Sequence, residues 1–561
     1  MAAPCHYLVE SRRFNGRPRP VVLQYLGSPD TLLQCLRRPH IQPLCACLIS
    51  FGGAAALFDL ARQLQLVELI DRFAPKRHQG PSVGQSMLVA AINRCLVPTS
   101  KLQMPAWLPT THLPHWLRCA PSQFLAPRFW DNMELLGEAQ IAAISEALAQ
   151  CLLETCQLDL SSLIFDCTNF DTFLDPEKPI QLPQCRRAKG KRTDLRIVGL
   201  ALLVSVDFHV PRLWKVYPGN PHDSLTVAQA LQELTTRYQA LARGCHSMTL
   251  IFDTGNNLVC NQELLEGTGF HFAGSLVPTH FPDLLALPLP RLRRLPDPRL
   301  QPTRALRLTR PVWGCQRTLL ITLRRDLQRK QTRGIEQHLA KKRRALDELQ
   351  AKLPRSQRRG AKGKGYTGEG LAQQAKQICS DQHMAALLRV FVTENCGRLK
   401  LAYRTDGAAY VQIKAQQLGK RILFTDQDSW TNEQIVLAYC SQSQVEDAFA
   451  DMKDPHFLGC QLMFHHWTDS KMCVHAFYCV LALILESLLQ RRASQNGLSL
   501  SIEALLRVLG DIQEVANVYP PTGEPGSPGR PSVKITLMDM DRTQQALYRL
   551  SDLGRYRKSK G

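Results

Sequence analysis

The chain has 561 residues, 44% hydrophobic and 21% charged, enough for several domains of about 50 to 250 residues with sizeable cores. Its 69 Lys and Arg against 48 Asp and Glu leave a net charge of +21, which favours a polyanionic partner, nucleic acid before an anionic membrane. Nineteen cysteines are scattered, with Cys45 and Cys47 the only tight pair and no paired CxxC clusters, so structural zinc is not expected, and buried thiols in a reducing cytoplasm are.

The start, "MAAPCHYLVESRRFNGRPRP", lacks the apolar core of a secretory signal. "HYLVESRRFNGRPRPVVLQYLG" predicts two strands around an Asn15-Gly16 turn, with Arg12, Arg13, Arg17 and Arg19 beside it as candidate DNA-backbone contacts or a solvated edge. Residues 49–155 carry helical apolar patterns broken by proline, so 1–155 reads as a basic hairpin and a mostly helical DNA-binding region. From 156 to 280 the pattern becomes β-rich. "SLIFDCTNF" predicts a strand ending near Asp166, "IVGLALLVSVDFHVPRLWKVYPGN" a hairpin, "TVAQALQELTTRYQALA" an amphipathic helix, and "SMTLIFDTGNN" a strand ending at Asp253. Asp223 suits the start of that helix.

Residues 281–420 are rich in Pro, Arg and Lys and read as an insertion extending over bound substrate. "GKRILFTDQDSW" predicts a strand ending at Asp426, and 421–495 carries the next helices. "MCVHAFYCVLALILESLL" contains His475 and Glu486 and is expected to be a core helix rather than a membrane span. The last segment, 496–561, holds "YPPTGEPGSPGRPS" and "RYRKSKG" and is expected to be a linker and a disordered basic tail.

The densest chemistry lies in "YCSQSQVEDAFADMK", residues 439–453. On one helix, Tyr439, Gln442, Glu446 and Lys453 fall at roughly 0°, 300°, 340° and 320°, an arc of about 60° beside an apolar stripe of Val445, Phe449 and Met452. Such a helix brings a third carboxylate, Glu446, toward Asp166 and Asp253. Three converging carboxylates imply a divalent metal, and two Mg2+ ions about 3.5–4 Å apart suit chemistry on a phosphodiester. Asp166 is the candidate bridge between the ions, with one each for Asp253 and Glu446. Lys453 and Gln442 are placed to hold phosphate, and Tyr439 to stack on a base or sugar. Taken singly, each acid is more often a turn or cap residue, and Asp426 is a rival carboxylate. Thr168 and Asn169 follow Asp166 as turn or orienting residues. His465, His466 and His475 do not have the spacing of a closed metal site.

The segment resembles the Tyr-x2-Arg-x3-Glu-x6-Lys signature of the DDE transposases of bacterial insertion sequences, the IS-four-like group. "FDCTNFDTF", "TDLRIVGLALLVSVD", "YPGNPHDSLT", "FDTGNN", "GKRILFTD" and "HHWTDSKMCVHAFYCVLALIL" resemble other stretches of that group over residues 160–490. The resemblance implies an α/β fold in which an RNase H-like mixed sheet with helices is interrupted by an insertion domain. It also implies Mg2+ dependence with Mn2+ able to substitute, recognition of terminal inverted repeats and a target duplex, homo-oligomers on DNA, and a bacterial cytoplasmic setting without membrane. Carried across by residue, the triad is Asp166, Asp253 and Glu446, with Tyr439 and Lys453 auxiliary. Gln442 stands where the signature has Arg, giving up a bidentate charged grip. A metal-dependent nuclease without strand transfer, or a catalytically reduced or silent DNA-binding relative, are the alternatives.

Overall fold

Apolar runs rich in β-branched residues become strands here, and stripes of period 3.6 become helices. The structure, a computed structural model, describes residues 6–14, 17–30, 33, 42–75, 79–159, 161–174, 180–185, 195–219, 223–241, 248–253, 270–356, 366–395, 398–456, 458–460, 468–520 and 531–557. In chain order the strands are β1 (His6–Phe14), β2 (Arg17–Gly27), β3 (Cys45–Ser50), β4 (Ser162–Thr172), β5 (Gln184–Cys185), β6 (Arg196–Ser205), β7 (Pro211–Pro218), β8 (Met248–Phe252) and β9 (Phe270–Leu276). They continue as β10 (Arg293–Arg294), β11 (Arg304–Val312), β12 (Cys315–Leu323), β13 (Leu388–Asn395), β14 (Arg398–Thr405), β15 (Lys420–Thr425), β16 (Gln513–Tyr519) and β17 (Ser532–Leu537). The longer helices are α1 (Gly52–Gln63), α2 (Leu66–Phe73), α3 (Val83–Leu96), α4 (Ala126–Glu134), α5 (Glu138–Cys156), α6 (Asp223–Leu241) and α7 (Arg325–Ser356). After them come α8 (Gly368–Ile378), α9 (Gly407–Gln416), α10 (Asn432–Cys440), α11 (Gln442–Lys453), α12 (Asp469–Gln495), α13 (Ile502–Gly510) and α14 (Arg542–Leu550).

The chain divides into two units, and the larger comprises Leu60–Ser100 and Pro127–Arg492. Its centre is a ten-stranded mixed sheet in the order β10-β11-β12-β15-β9-β8-β4-β6-β5, with β7 also on β6. Only β4, β8 and β9 run parallel to one another; the remaining pairs are antiparallel. One face packs Leu163, Phe165, Leu250, Phe252 and Phe272 against residues of α5 and α6 such as Ala149, Leu231, Leu234 and Tyr238. The opposite face buries Leu320 and Leu423 against Ile435, Val436 and Tyr439 of α10. Helix α12 is long and apolar enough to cross a membrane, yet its apolar stretch is wholly buried inside the protein, as expected of a core helix.

The region expected as an insertion begins differently from its sequence boundaries. Residues 304–323 form β11 and β12 and extend the main sheet, because their alternation matches β15: Leu319, Ile321 and Leu323 face one core and Leu320 the other. A separate core, with Leu339, Leu346, Leu371, Leu401 and Ile413, is formed by residues from α7 to Leu418. The chain leaves and re-enters the sheet at one point, where Leu323 pairs with Lys420 and the Arg324 amide donates to the Gly419 carbonyl at 2.9 Å.

The second unit comprises Met1–Asp59, Lys101–Ala126 and Ala493–Gly561, so the expected N-terminal region is split between the two units. The segment after 496, expected to be a linker and loose tail, folds: β16 pairs with β3 on one side and β17 on the other. Glu514 on β16 is buried between His112 and Arg557, each 2.7 Å away. Burial pushes its carboxyl up, but these two partners hold it below the usual carboxylate range. Tyr556 donates to Asp59 at 2.8 Å, and Arg555 also pairs with Asp59. The basic end is thus held by buried acids through Arg557; residues 521–530 and 558–561 lie outside the described residues.

Candidate active site

Strand β4 continues past the expected stop, so Asp166 is a mid-strand residue rather than a terminal one. The reason is its second neighbour: β6 pairs with β4 from Leu163↔Ser205 to Thr172↔Arg196, whereas the ladder with β8 ends at Ile164↔Ile251. Two residues beyond that last pair stand Asp166 and Asp253. By the two-residue period they leave the same sheet face at the same level, on strands about 5 Å apart. Asp166, Thr168 and Ile164 share this face, while Phe165, Cys167 and Asn169 alternate to the other. Thr168 therefore belongs to the site face and Asn169 does not. Asp166 is half-buried and accepts the Cys167 backbone N–H at 2.8 Å.

The expected single helix over 439–453 is two helices, α10 and α11, meeting at Ser441. Ser441 keeps helical angles (φ −64°, ψ −17°), and its N–H still donates to the Leu437 carbonyl at 3.0 Å, so the helical course is nearly continuous. Tyr439 is buried, and its hydroxyl donates to Asp253 Oδ1 at 3.0 Å. Burial first, and then the Asp253 carboxylate, push the phenol up to about 12, so it remains a neutral donor. The Arg421 guanidinium lies 5.4 Å from the ring centroid. A buried ring in this setting positions a carboxylate; stacking on a base, as the sequence suggested, needs an exposed face.

Fourteen residues on, Lys453 Nζ donates to Thr168 Oγ1 and lies 5.7 Å from the Phe170 ring centroid. Glu446 is exposed on α11, seven residues from both Tyr439 and Lys453, and its carboxylate does not join those of Asp166 and Asp253 within 4.8 Å. Gln442 departs from expectation. Only 4% exposed, its amide makes no hydrogen bond among the described groups, so it does not offer a DNA-contacting surface. Its direction borders the stripe of Val445, Phe449 and Met452, and packing takes it inward with them.

Asp426 accepts the Phe272 N–H at 2.8 Å and lies 3.1 Å from His271 Nδ1, which ties the end of β15 to β9. It sits at the level of Leu250, three residues before Asp253, and has a structural duty. The Asp223 side chain, His465 and His466 fall outside the described residues. On the β1–β2 hairpin, Arg12, Arg13 and Arg17 are exposed, and Arg12 Nε is 2.8 Å from Glu10. Sequence reasoning missed Arg421 over Tyr439. It also missed His209 in the β6–β7 turn, whose imidazole burial pushes down to about 4, opposed by Asp447 of α11.

No family model matches the sequence, and no curated protein matches it. Among solved structures it is similar to the piggyBac transposase synaptic complex with hairpin DNA, at 9% identity over 82% of this chain and 78% of that one, with a TM-score of 0.34. It is also similar to the Mos1 transposase paired-end complex and to a pre-cleavage Mos1 transpososome, each at 11% identity over 37% of this chain, 63% and 64% of those chains, with TM-scores of 0.15. Superpositions this loose leave the architecture to be read from the chain's own topology.

Proposed function

We propose that this chain is a Mg2+-dependent DDE transposase with an RNase H-like catalytic sheet, in which Asp166, Asp253 and Glu446 form the metal-binding triad. The observation that carries this reading is one helical run fastened at both ends to neighbouring strands. Tyr439 is bonded to Asp253 and Lys453 to Thr168, with Glu446 midway between them. Carboxylate oxygens are the donors that Mg2+, a hard cation, prefers: Asp166 and Asp253 are half-buried on neighbouring strands and Glu446 is exposed, and because the three do not stand together within 4.8 Å, holding the ion would draw the Glu446 side chain toward the two aspartates. When bound, the metal would neutralise charge on the phosphodiester and make the attacking water more acidic.

The chain's own groups do the rest. Tyr439 holds the Asp253 carboxylate in one orientation, and Lys453 brings an ammonium beside Thr168 to meet a phosphate oxygen. Attack of water on phosphorus at an element end breaks the P–O3′ bond, leaving a 3′-hydroxyl and a 5′-phosphate. That hydroxyl then attacks a phosphodiester of the target and displaces its 3′ oxygen. Arg12, Arg13 and Arg17, exposed on their hairpin, supply phosphate contacts to the duplex. The reading extends to terminal inverted repeats as the recognised DNA, homo-oligomers on that DNA, and a bacterial cytoplasmic setting. Burial of Gln442 where the signature has Arg favours a second reading, a catalytically reduced relative that still binds DNA.

The test is purified protein with Mg2+, a labelled end duplex and a second duplex, alongside Asp166→Ala and Glu446→Ala. Joined product from the parent and none from the variants supports transposition. Joining by the variants at parental rates would overturn the triad, cleavage alone indicates a nuclease, and binding without cleavage indicates the silent form.

A further inference from the structure

Away from the three carboxylates, the larger unit contains a second cluster of metal-competent side chains that the sequence spacing concealed. Cys460 lies seven residues after Lys453, on the segment leaving α11, while His475 and Cys479 are one turn apart on the same face of α12. All three are fully buried, and one ligand atom from each lies within 4.8 Å of the other two. Around a tetrahedral Zn2+, with Zn–S about 2.3 Å and Zn–N about 2.0–2.1 Å, such atoms stand roughly 3.5–3.8 Å apart. Closing the remaining gap takes shifts of about 1 Å or less, within the reach of side-chain rotation.

We propose that Cys460, His475 and Cys479 bind a structural Zn2+ that clips the chain leaving α11 to the core helix α12. Two thiolates and a neutral imidazole balance the ion's charge, which suits a site shut off from water. The Tyr478 hydroxyl is 2.7 Å from His475 Nδ1. With the ring proton on Nδ1, that contact orients the imidazole and leaves the Nε2 lone pair for the metal. The ordinary alternative is that the two thiols only fill space as small hydrophobes.

The test begins with the full chain purified without chelator and its metal measured by elemental mass spectrometry. About one Zn2+ per chain is expected. Cys460→Ser/Cys479→Ser should lower this to background, while Cys473→Ser, on the same helix but outside the cluster, should retain it. If the double variant does not fold, Co2+ exchanged into the unmodified chain must give thiolate-to-metal charge-transfer absorption. A metal-free chain whose thiols titrate freely on unfolding, a Cys460–Cys479 disulfide, zinc retained in the folded double variant, or Co2+ binding without the thiolate band would each overturn the proposal. None of these readouts depends on DNA cleavage, so the outcome is separable from that of the triad.

Discussion

Replacing Tyr439 with Phe deletes a single oxygen and isolates what its hydroxyl does. The ring is 8% exposed, and its contact with Arg421 at 5.4 Å is retained by Phe, so packing is preserved. What is lost is the 3.0 Å hydrogen bond to the Asp253 carboxylate, from a phenol that burial pushes up to about 12 and so keeps protonated, together with a side-chain hydrogen bond to Ser275. Hydrogen bonds to charged groups contribute about 1.5–3 kcal/mol, which corresponds to roughly ten- to hundredfold in rate if the bond holds Asp253 for catalysis. Single-turnover cleavage of an end duplex in Mg2+ should slow by that factor, with a thermal midpoint within a few degrees of the parent. Tyr439→Ala, which also leaves a cavity, should lose about 3–5 kcal/mol of stability besides. A Tyr439→Phe rate within twofold of the parent, at equal stability, would refute the claim that this hydroxyl positions a catalytic carboxylate.

Two further predictions concern the same helical run and its surroundings. Gln442→Met exchanges an amide without hydrogen bonds among the described groups for an apolar side chain of similar size, so urea unfolding should show a gain of about 1–2 kcal/mol with DNA affinity unchanged; a loss of either would show that the amide has a partner. His209, pushed down to about 4 by burial, is neutral in the native protein, whereas the unfolded chain takes up a proton below about 6.5. Its contribution is therefore present above pH 6.5 and is lost as the pH falls toward 4, by at most about 3 kcal/mol and less for a half-buried ring. His209→Asn, tolerated at its φ of 42°, should flatten that acid limb in pH-dependent unfolding, and an unaltered limb would contradict the assignment.

How much of this was legible in the sequence follows from the range of each signal. Local patterns located β4, β6, β8 and β15 because buried strands read as apolar runs, and the turn between β6 and β7 falls where Asp207 to His209 interrupt them. The level placement of Asp166 and Asp253 was only implicit, since it depends on a parallel ladder between segments more than eighty residues apart. The mid-strand position of Asp166 depends on β6, a partner that the strand's own residues do not announce. The burial of Gln442 is not legible in a 60° arc drawn on an ideal helix, which does not say where the apolar boundary falls; Phe449 lies only about 20° away from it. The pairing of β3 with β16 joins segments over 460 residues apart, beyond any local signal, and the proline- and glycine-rich stretch before β17 disguised a folded segment. The Cys460, His475 and Cys479 cluster likewise has no short motif; its one local clue is the i, i+4 spacing on α12.

The proposed chemistry needs three acids to meet at one metal site, and the direct measurement is a structure of the chain with an end duplex and Mn2+, read by anomalous scattering. The predicted result is Mn2+ density within coordination distance of Asp166, Asp253 and Glu446 together, with Tyr439 still bonded to Asp253. Density that engages the two aspartates while Glu446 points into solvent, or no density on that face of the sheet, would contradict it.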